Sequence, residues 1–406
     1  MFFRRENKLF EIFEFGKEER DSRWQRVRNN MRKRGIGALI IWGFAGYNSA
    51  ECANFRYLSN MATYGNLSYP GYLVFPLEGE PTIIGFAKMP AADSLWIKDI
   101  RSRHPSFSGA IMARLRELRL NKASLGIVSF IGDDAEEGFP YATFMALKEG
   151  LPGAQFQDAT DILNDARRIK SDGEIHCLEL GCAAASEAMR AVIDTARPGV
   201  RDCEVVAKIL ETLTRNGCET DSLFLYGSGK EYVDAGKGVF IYPRYLRLIE
   251  KGDIIHMEFD AKYNGYVAQH NQMFAVGKPS KEWLEITKVD AVAYENGLNV
   301  LKPGVTLGEL NKAFLSVIMD AGYVNERPGF HGLGLSTERP PGAGAAGSSC
   351  VPSDLFQILP GMVLELEPHT MSKDRKYNAT LGCPVLVTET GCRPLNKAKI
   401  ELRLCG

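Results

Sequence analysis

Residues 251–278, KGDIIHMEFDAKYNGYVAQHNQMFAVGK, carry side chains whose types and spacing suit chemistry. Apolar and polar residues alternate on both sides of Asn264-Gly265, a dipeptide that favours a two-residue hairpin turn. With that turn, Tyr263 faces Tyr266, and the pairs Asp260–Gln269, Glu258–Asn271 and His256–Met273 follow. These residues are expected to share one face, while Ile255, Met257 and Phe259 point to the other and read as core. One face then offers two carboxylates and two amides. That is either the polar equipment of a site or a solvated edge.

Such a hairpin needs elements to position it. The surrounding second half holds an internal repeat: ARPGVRDCEVVAKILETLTRNG and LKPGVTLGELNKAFLSVIMDAG align without gaps, with Pro198/Pro303, Gly199/Gly304, Glu204/Glu309 and Gly217/Gly322 coinciding. Thr306 followed by Glu309 is a capping box that opens a helix. Two related helical units, each feeding a sheet, imply a pseudo-twofold domain with a cleft at its centre. The alternative is chance likeness between two amphipathic helices after Pro-Gly turns. Upstream, from about residue 20 to 165, short apolar strands (GALIIW, GYLVFP, PTIIGFA, SLGIVSF) alternate with helical stretches, which predicts a mostly parallel or mixed sheet covered by helices. Residues 159–170, ATDILNDARRIK, read as a linking helix, and a long helical pattern then runs to Arg197-Pro198-Gly199. The division predicted is 1–165 and 166–406, an α/β (α+β) chain of two domains.

Composition bounds the reading. A chain of 406 residues exceeds what one core normally holds. Its 49 basic and 50 acidic residues cancel, so no overall field favours nucleic acid or a membrane surface. No window approaches the roughly 18 apolar residues of a membrane span, and the N-terminus lacks the pattern of a secretory signal, so the cytoplasm is expected. Nine scattered cysteines without a CxxC pair read as reduced and mostly buried.

The hairpin, then FHGLGLSTERPP, PGMVLELEP and VLVTETG, together with the junction ARRIKSDGEI, resemble the creatinase, methionine aminopeptidase and Xaa-Pro dipeptidase family in order and spacing. The resemblance covers nearly the whole chain and implies the pita-bread fold behind a creatinase-type N-terminal domain. Peptidases of that family hold two divalent metals with two aspartates, a histidine and two glutamates. The matching positions here are Glu258, Gln269, His331, Glu367 and Gly382. A neutral amide thus replaces one carboxylate, and a residue without a side chain replaces another. Because ligands bridging two dications must be anionic, the expectation is that no metal cofactor is bound, with one or two divalent ions as the alternative. Where the family carries a histidine and a glutamate after the HG(I/L)G motif, this chain has Glu338 and Arg339.

The chemistry expected from these residues resembles that of creatinase, which works without metal. His331, flanked by Glu367 and Glu258 with Glu338 nearby, would act as general base on water. Arg339 would hold a substrate carboxylate, and Gln269, Asn271 and Tyr266 would bind a small polar metabolite. Phe55 and Arg56, in NFRYLSN, are candidates to reach the cleft of a partner, since the resemblance implies a homodimer. The function expected is metal-independent hydrolysis of a C–N bond in a small polar metabolite, an amide, amidine or cyclic amidine. The alternatives are a metal-dependent Xaa-Pro-type peptidase with altered ligands, a lyase acting on a small zwitterion, and a non-catalytic binding module.

Overall fold

Short apolar strands in the first half pair into a six-stranded sheet in the order Asp99–Arg101, Thr82–Ile84, Tyr69–Pro76, Ala38–Ala45, Ser124–Val128, Gln155–Asp158. It is mixed: Ala38–Ala45 lies antiparallel to Tyr69–Pro76 and parallel to Ser124–Val128. The computed structural model describes residues 13–45, 50–61, 69–85, 95–129, 138–219, 224–230, 247–325, 328–338 and 354–406. Residues 54–59 of NFRYLSN lie in the helix Ala50–Ser59, with Asn60 just past its end, and Asn54, Phe55 and Tyr57 are buried. The linking helix runs from Thr160 to Arg168, and the long helix from Asp172 to Thr195 starts on a capping box formed by Ser171 and Glu174.

The repeat in the second half is structural. Each copy enters through Pro-Gly and continues in a 14-residue helix, Asp202–Arg215 or Leu307–Asp320. In one copy Gly199 N–H donates to Ile249 O and Asp202 N–H to Arg247 O; in the other Gly304 donates to Ile358 O and Leu307 to Phe356 O. The isolated bridges Arg201–Leu248 and Thr306–Gln357 match in the same way. Chance likeness between helices would not reproduce the backbone hydrogen bonds around them. Each unit therefore docks its capped helix on a loop of its own half, beside the long helices Asp172–Thr195 and Lys281–Val300.

Each half supplies a sheet. One runs Arg403–Cys405, Tyr266–Val276, Ile254–Tyr263, Phe224–Gly229; the other runs Thr337–Glu338, Phe330–Leu333, Val363–Leu366, Cys383–Val387, Cys392–Pro394. They meet where Asn271 and Gly382 exchange backbone hydrogen bonds, N–H to O at 3.2 Å and 2.9 Å. The hairpin turn at Asn264-Gly265 has φ of 47° and 85°, and the strands keep the pairs Asp260–Gln269, Glu258–Asn271 and His256–Met273 without a bulge.

That intact register corrects one expectation. Side chains alternate along a strand, so the Tyr263–Tyr266 pair falls on the opposite face from Asp260–Gln269. Tyr266 is buried toward the N-terminal half, where its hydroxyl donates to Glu174 Oε1 at 2.9 Å. It is a packing residue and not part of the cleft.

The capping box at Thr306 is complete, with Glu309 N–H donating to Thr306 Oγ1 and Glu309 Oε2 accepting from Thr306 N–H. Thr306→Ala is expected to lower stability by about 1 kcal/mol, read as a shift of the urea midpoint at constant slope. An unchanged midpoint would show that the cap does not limit this helix.

Candidate active site

Where the two sheets meet, the hairpin face carrying Glu258, Asp260, Gln269 and Asn271 looks onto the face carrying His331, Glu365 and Glu367. Two contacts fix the facing. His331 Nε2 lies 2.7 Å from Gln269 Oε1, and Asn271 Nδ2 donates to Glu367 Oε2 at 2.7 Å. Glu367 Oε1 stands 3.6 Å from His331 Nε2 and 3.6 Å from His369 Nε2, so one carboxylate lies between two imidazoles. His369 is anchored at its other nitrogen, with Nδ1 2.9 Å from Thr380 Oγ1.

The carboxylate count exceeds the one read from the motifs. Asp260 is buried, and its Oδ1 accepts from Gln269 Nε2 at 3.3 Å. Glu365 is directly opposite His331 in the sheet register and two residues before Glu367, hence on the same face. It is fully buried, and neither of its oxygens receives a hydrogen bond. Burial first, then the nearby thiol of Cys383 and the carboxylates of Glu367, Glu258 and Asp260, hold its pKa well above the ordinary range. The sequence contained the signal: in VLELEP the alternation places Val363, Glu365 and Glu367 together, so the strand carries two acids on one face.

A further buried acid braces this region from behind. Asp290, on the helix Lys281–Val300, accepts from Thr370 Oγ1 at 2.7 Å and from Leu381 N–H at 2.8 Å, so it ties together the segments after Glu367 and before Gly382. No sequence motif marked it, although a lone Asp on the apolar face of a helix is a recognisable pattern. His270 is also outside the cleft. It stacks on Phe259, hydrogen-bonds Asn396, and has its pKa pushed down to about 4 by burial, so it is a neutral core imidazole.

Three further expectations are corrected. Glu338 lies on the strand beside His331, but its carboxylate is gripped by Lys170 Nζ at 2.5 Å and Arg167 at 3.2 Å, two buried cations of the linking segment. It is a structural ion pair joining the linker to the sheet, not a catalytic acid. Phe55 is core, 2% exposed, because its helix packs under the N-terminal sheet. Arg56 forms a paired contact with Glu219 at 2.8 and 3.0 Å and also donates to Asn264 Oδ1, which pins the hairpin turn. Neither residue is available to a partner's cleft. Arg339 lies outside the described residues.

Among the described residues, no three His, Cys, Asp or Glu side chains already stand in an arrangement that holds a metal ion. The chemistry of the donors nonetheless fits one. Carboxylates plus a single imidazole suit a hard divalent cation, although the buried Gln269 and Asn271 amides cap His331 and Glu367 in this structure. Glu365 brings two buried oxygens that have no hydrogen-bond partner, in a carboxyl group that burial holds toward its neutral form.

Comparison with known proteins bears on the same point. Residues 176–389 match the model of metallopeptidase family M24, and residues 23–169 that of the creatinase/prolidase N-terminal domain. An Xaa-Pro dipeptidase of Pyrococcus horikoshii is 27% identical over 270 residues, which is 66% of this chain and 73% of that protein. One from Pyrococcus furiosus is 27% identical over 288 residues, 70% of this chain and 77% of that protein. The solved Xaa-Pro dipeptidase from Bacillus anthracis superposes with a TM-score of 0.76 at 22% identity, covering 95% of this chain and 99% of that one. A prolidase from Thermococcus sibiricus reaches 0.78 at 19%, covering 96% and 100%. These structures establish the pita-bread fold with its N-terminal domain. The family match and the dipeptidase relatives overturn the expectation of metal-independent hydrolysis of a non-peptide C–N bond, and with it that of no metal cofactor.

Glu338→Gln removes the anion from two buried cations, Lys170 and Arg167. The expected result is a loss of about 3 kcal/mol in unfolding free energy. If stability is unchanged while turnover alone falls, Glu338 belongs to the chemistry after all.

Proposed function

Since the chain belongs to metallopeptidase family M24, we propose that it is a metal-dependent hydrolase of short peptides with proline after the scissile bond, as the names of its relatives suggest. The observation that carries the reading is the position of Glu367, between His331 and His369 and opposite the carboxylate-bearing hairpin face. Glu258, His331 and Glu367 are the retained residues that would hold a divalent ion. A bound ion of that kind polarises an amide carbonyl and makes water a stronger nucleophile at neutral pH.

The side chains of this chain have the remaining work. Glu367 orients both imidazoles by the 3.6 Å contacts on its Oε1. His369, with Nδ1 on Thr380, presents Nε2 toward the cleft side of Glu367, where it can donate to a developing oxyanion or to the departing imide nitrogen. Proline supplies no amide N–H, so a site for it needs no acceptor at that nitrogen, only a donor to protonate it on departure. Gln269 and Asn271 add neutral donors on the opposite wall without adding charge.

The enzyme is expected to hydrolyse Xaa-Pro dipeptides in the presence of Mn(II) or Co(II), to ignore Xaa-Ala controls, and to lose activity to a chelator. His331→Ala is expected to lower kcat/KM by about 100-fold or more. Absence of hydrolysis with every divalent metal tried, or hydrolysis undiminished by the chelator, sinks the reading.

A further inference from the structure

Among the described residues of the helix Lys281–Val300, Asp290 is the one buried acid, in a stripe that runs from Trp283 and Ile286 to Ala293 and Gly297. An acid in such a stripe is costly unless its oxygens are bonded, and both are. Oδ1 meets the Thr370 hydroxyl at 2.7 Å, and Oδ2 accepts from Leu381 N–H at 2.8 Å. Burial holds this carboxyl toward its neutral form. Either form keeps both contacts, since a threonine hydroxyl accepts as well as donates.

The two partners are placed with respect to His369. In the strand pair His369–Met371 and Asn378–Thr380, His369 lies opposite Thr380, and its Nδ1 is 2.9 Å from Thr380 Oγ1. Thr370 directly follows His369, and Leu381 directly follows Thr380. One carboxyl therefore holds each member of that pair by the residue next to it. Thr370 points away from the imidazole, because side chains alternate along a strand, and Leu381 packs with Trp283 and Ile286 of the same helix. On the other side of the pair, Glu367 Oε1 stands 3.6 Å from His369 Nε2. Leu381 is joined in turn to Gly382, whose backbone bonds Asn271 at the seam of the two sheets.

We propose that Asp290 is a positioning residue: by holding Thr370 and Leu381 it fixes the His369 imidazole relative to Glu367, and so the place from which His369 donates to the substrate. The assignment rests on the reading of His369 given above and adds the residue behind it that makes its placement precise. Asp290 touches no substrate atom, so its loss is felt in turnover and not in binding. A displacement of about 1 Å at a reacting group costs on the order of 100-fold in rate, which is why a brace at this depth matters.

The test compares two substitutions of similar size in the full-length chain. Asp290→Leu fills the volume and removes both contacts. Asp290→Asn keeps them, its oxygen accepting from Leu381 N–H and its nitrogen donating to Thr370 Oγ1. With Mn(II) and an Xaa-Pro dipeptide, Asp290→Leu is expected to lower kcat by about tenfold or more with KM within about threefold of the wild type, and Asp290→Asn to restore kcat to within about threefold. A second readout needs no turnover. Isotope labelling of the ring carbons of the six histidines gives one NMR signal for each, recorded with Mg(II) in place of the paramagnetic Mn(II), and His369→Gln identifies the signal of His369. That signal is expected to shift in Asp290→Leu and to stay in place in Asp290→Asn. An unmoved His369 signal or an unchanged kcat in folded Asp290→Leu, or an equal loss in Asp290→Asn, overturns the assignment. Should Asp290→Leu fail to fold, Thr370→Val removes one contact at constant volume: a shifted His369 signal with a lowered kcat supports the assignment, and either one at its wild-type value overturns it. If no Xaa-Pro dipeptide is cleaved while the signal moves in Asp290→Leu alone, the proposed function falls and the placement of His369 by Asp290 stands. Cleavage of such dipeptides with an unmoved signal in Asp290→Leu does the reverse.

Discussion

Crowded negative charge away from water is the constraint on which this molecule's centre depends. Half-buried Glu258 and buried Asp260, Glu365 and Glu367 face one another where two sheets meet, and burial makes a charge without a partner there costly, so Glu365 is held toward its neutral form. The fold meets part of that cost with neutral amides: Gln269 donates to Asp260 and Asn271 to Glu367. It meets another part with imidazoles at Glu367. Glu365 is left with no hydrogen bond to either oxygen, and burial among other acids favours its neutral form. A hydrophobic seam would have been easier to fold, so the acids are kept for something other than packing.

The elements that hold this centre were largely legible in the sequence, because each rests on local physics. Asn264-Gly265 has one favoured turn, and the register of a ten-residue hairpin arm follows from it. The repeat was legible because the same Pro-Gly entry and capped helix recur, and the two copies make the same backbone hydrogen bonds. The assignment of Tyr266 to the cleft came from counting pairs without counting the pleat; parity along the strand was enough to avoid it.

The site was harder to read, for a different reason. Matching positions to a family's ligands reads one residue at a time, whereas neighbouring strands share the volume each position faces. Position 382 lacks a side chain, but the next strand delivers a carboxylate to the same volume, and only tertiary packing shows that Glu365 reaches it. The same limit applies to Glu338, Phe55 and Arg56. Their partners are Lys170 and Arg167, the N-terminal core, and Glu219 with Asn264. Sequence separations of more than 160 residues divide Glu338 from Lys170 and Arg56 from Glu219, and no local pattern announces such pairs.

The grip of Arg56 on the hairpin turn bears on how the molecule came to be built as it is. The turn's Asn264 is held by a guanidinium from the first sheet's domain, and Tyr266 next to it by Glu174 at the start of the long helix. The arm that presents Glu258 and Asp260 is thus tethered at its far end by the domain that contains none of the acids. The N-terminal domain acts as an outrigger, and the half that bears the acids cannot be excised as a self-sufficient enzyme without freeing the tip of that arm.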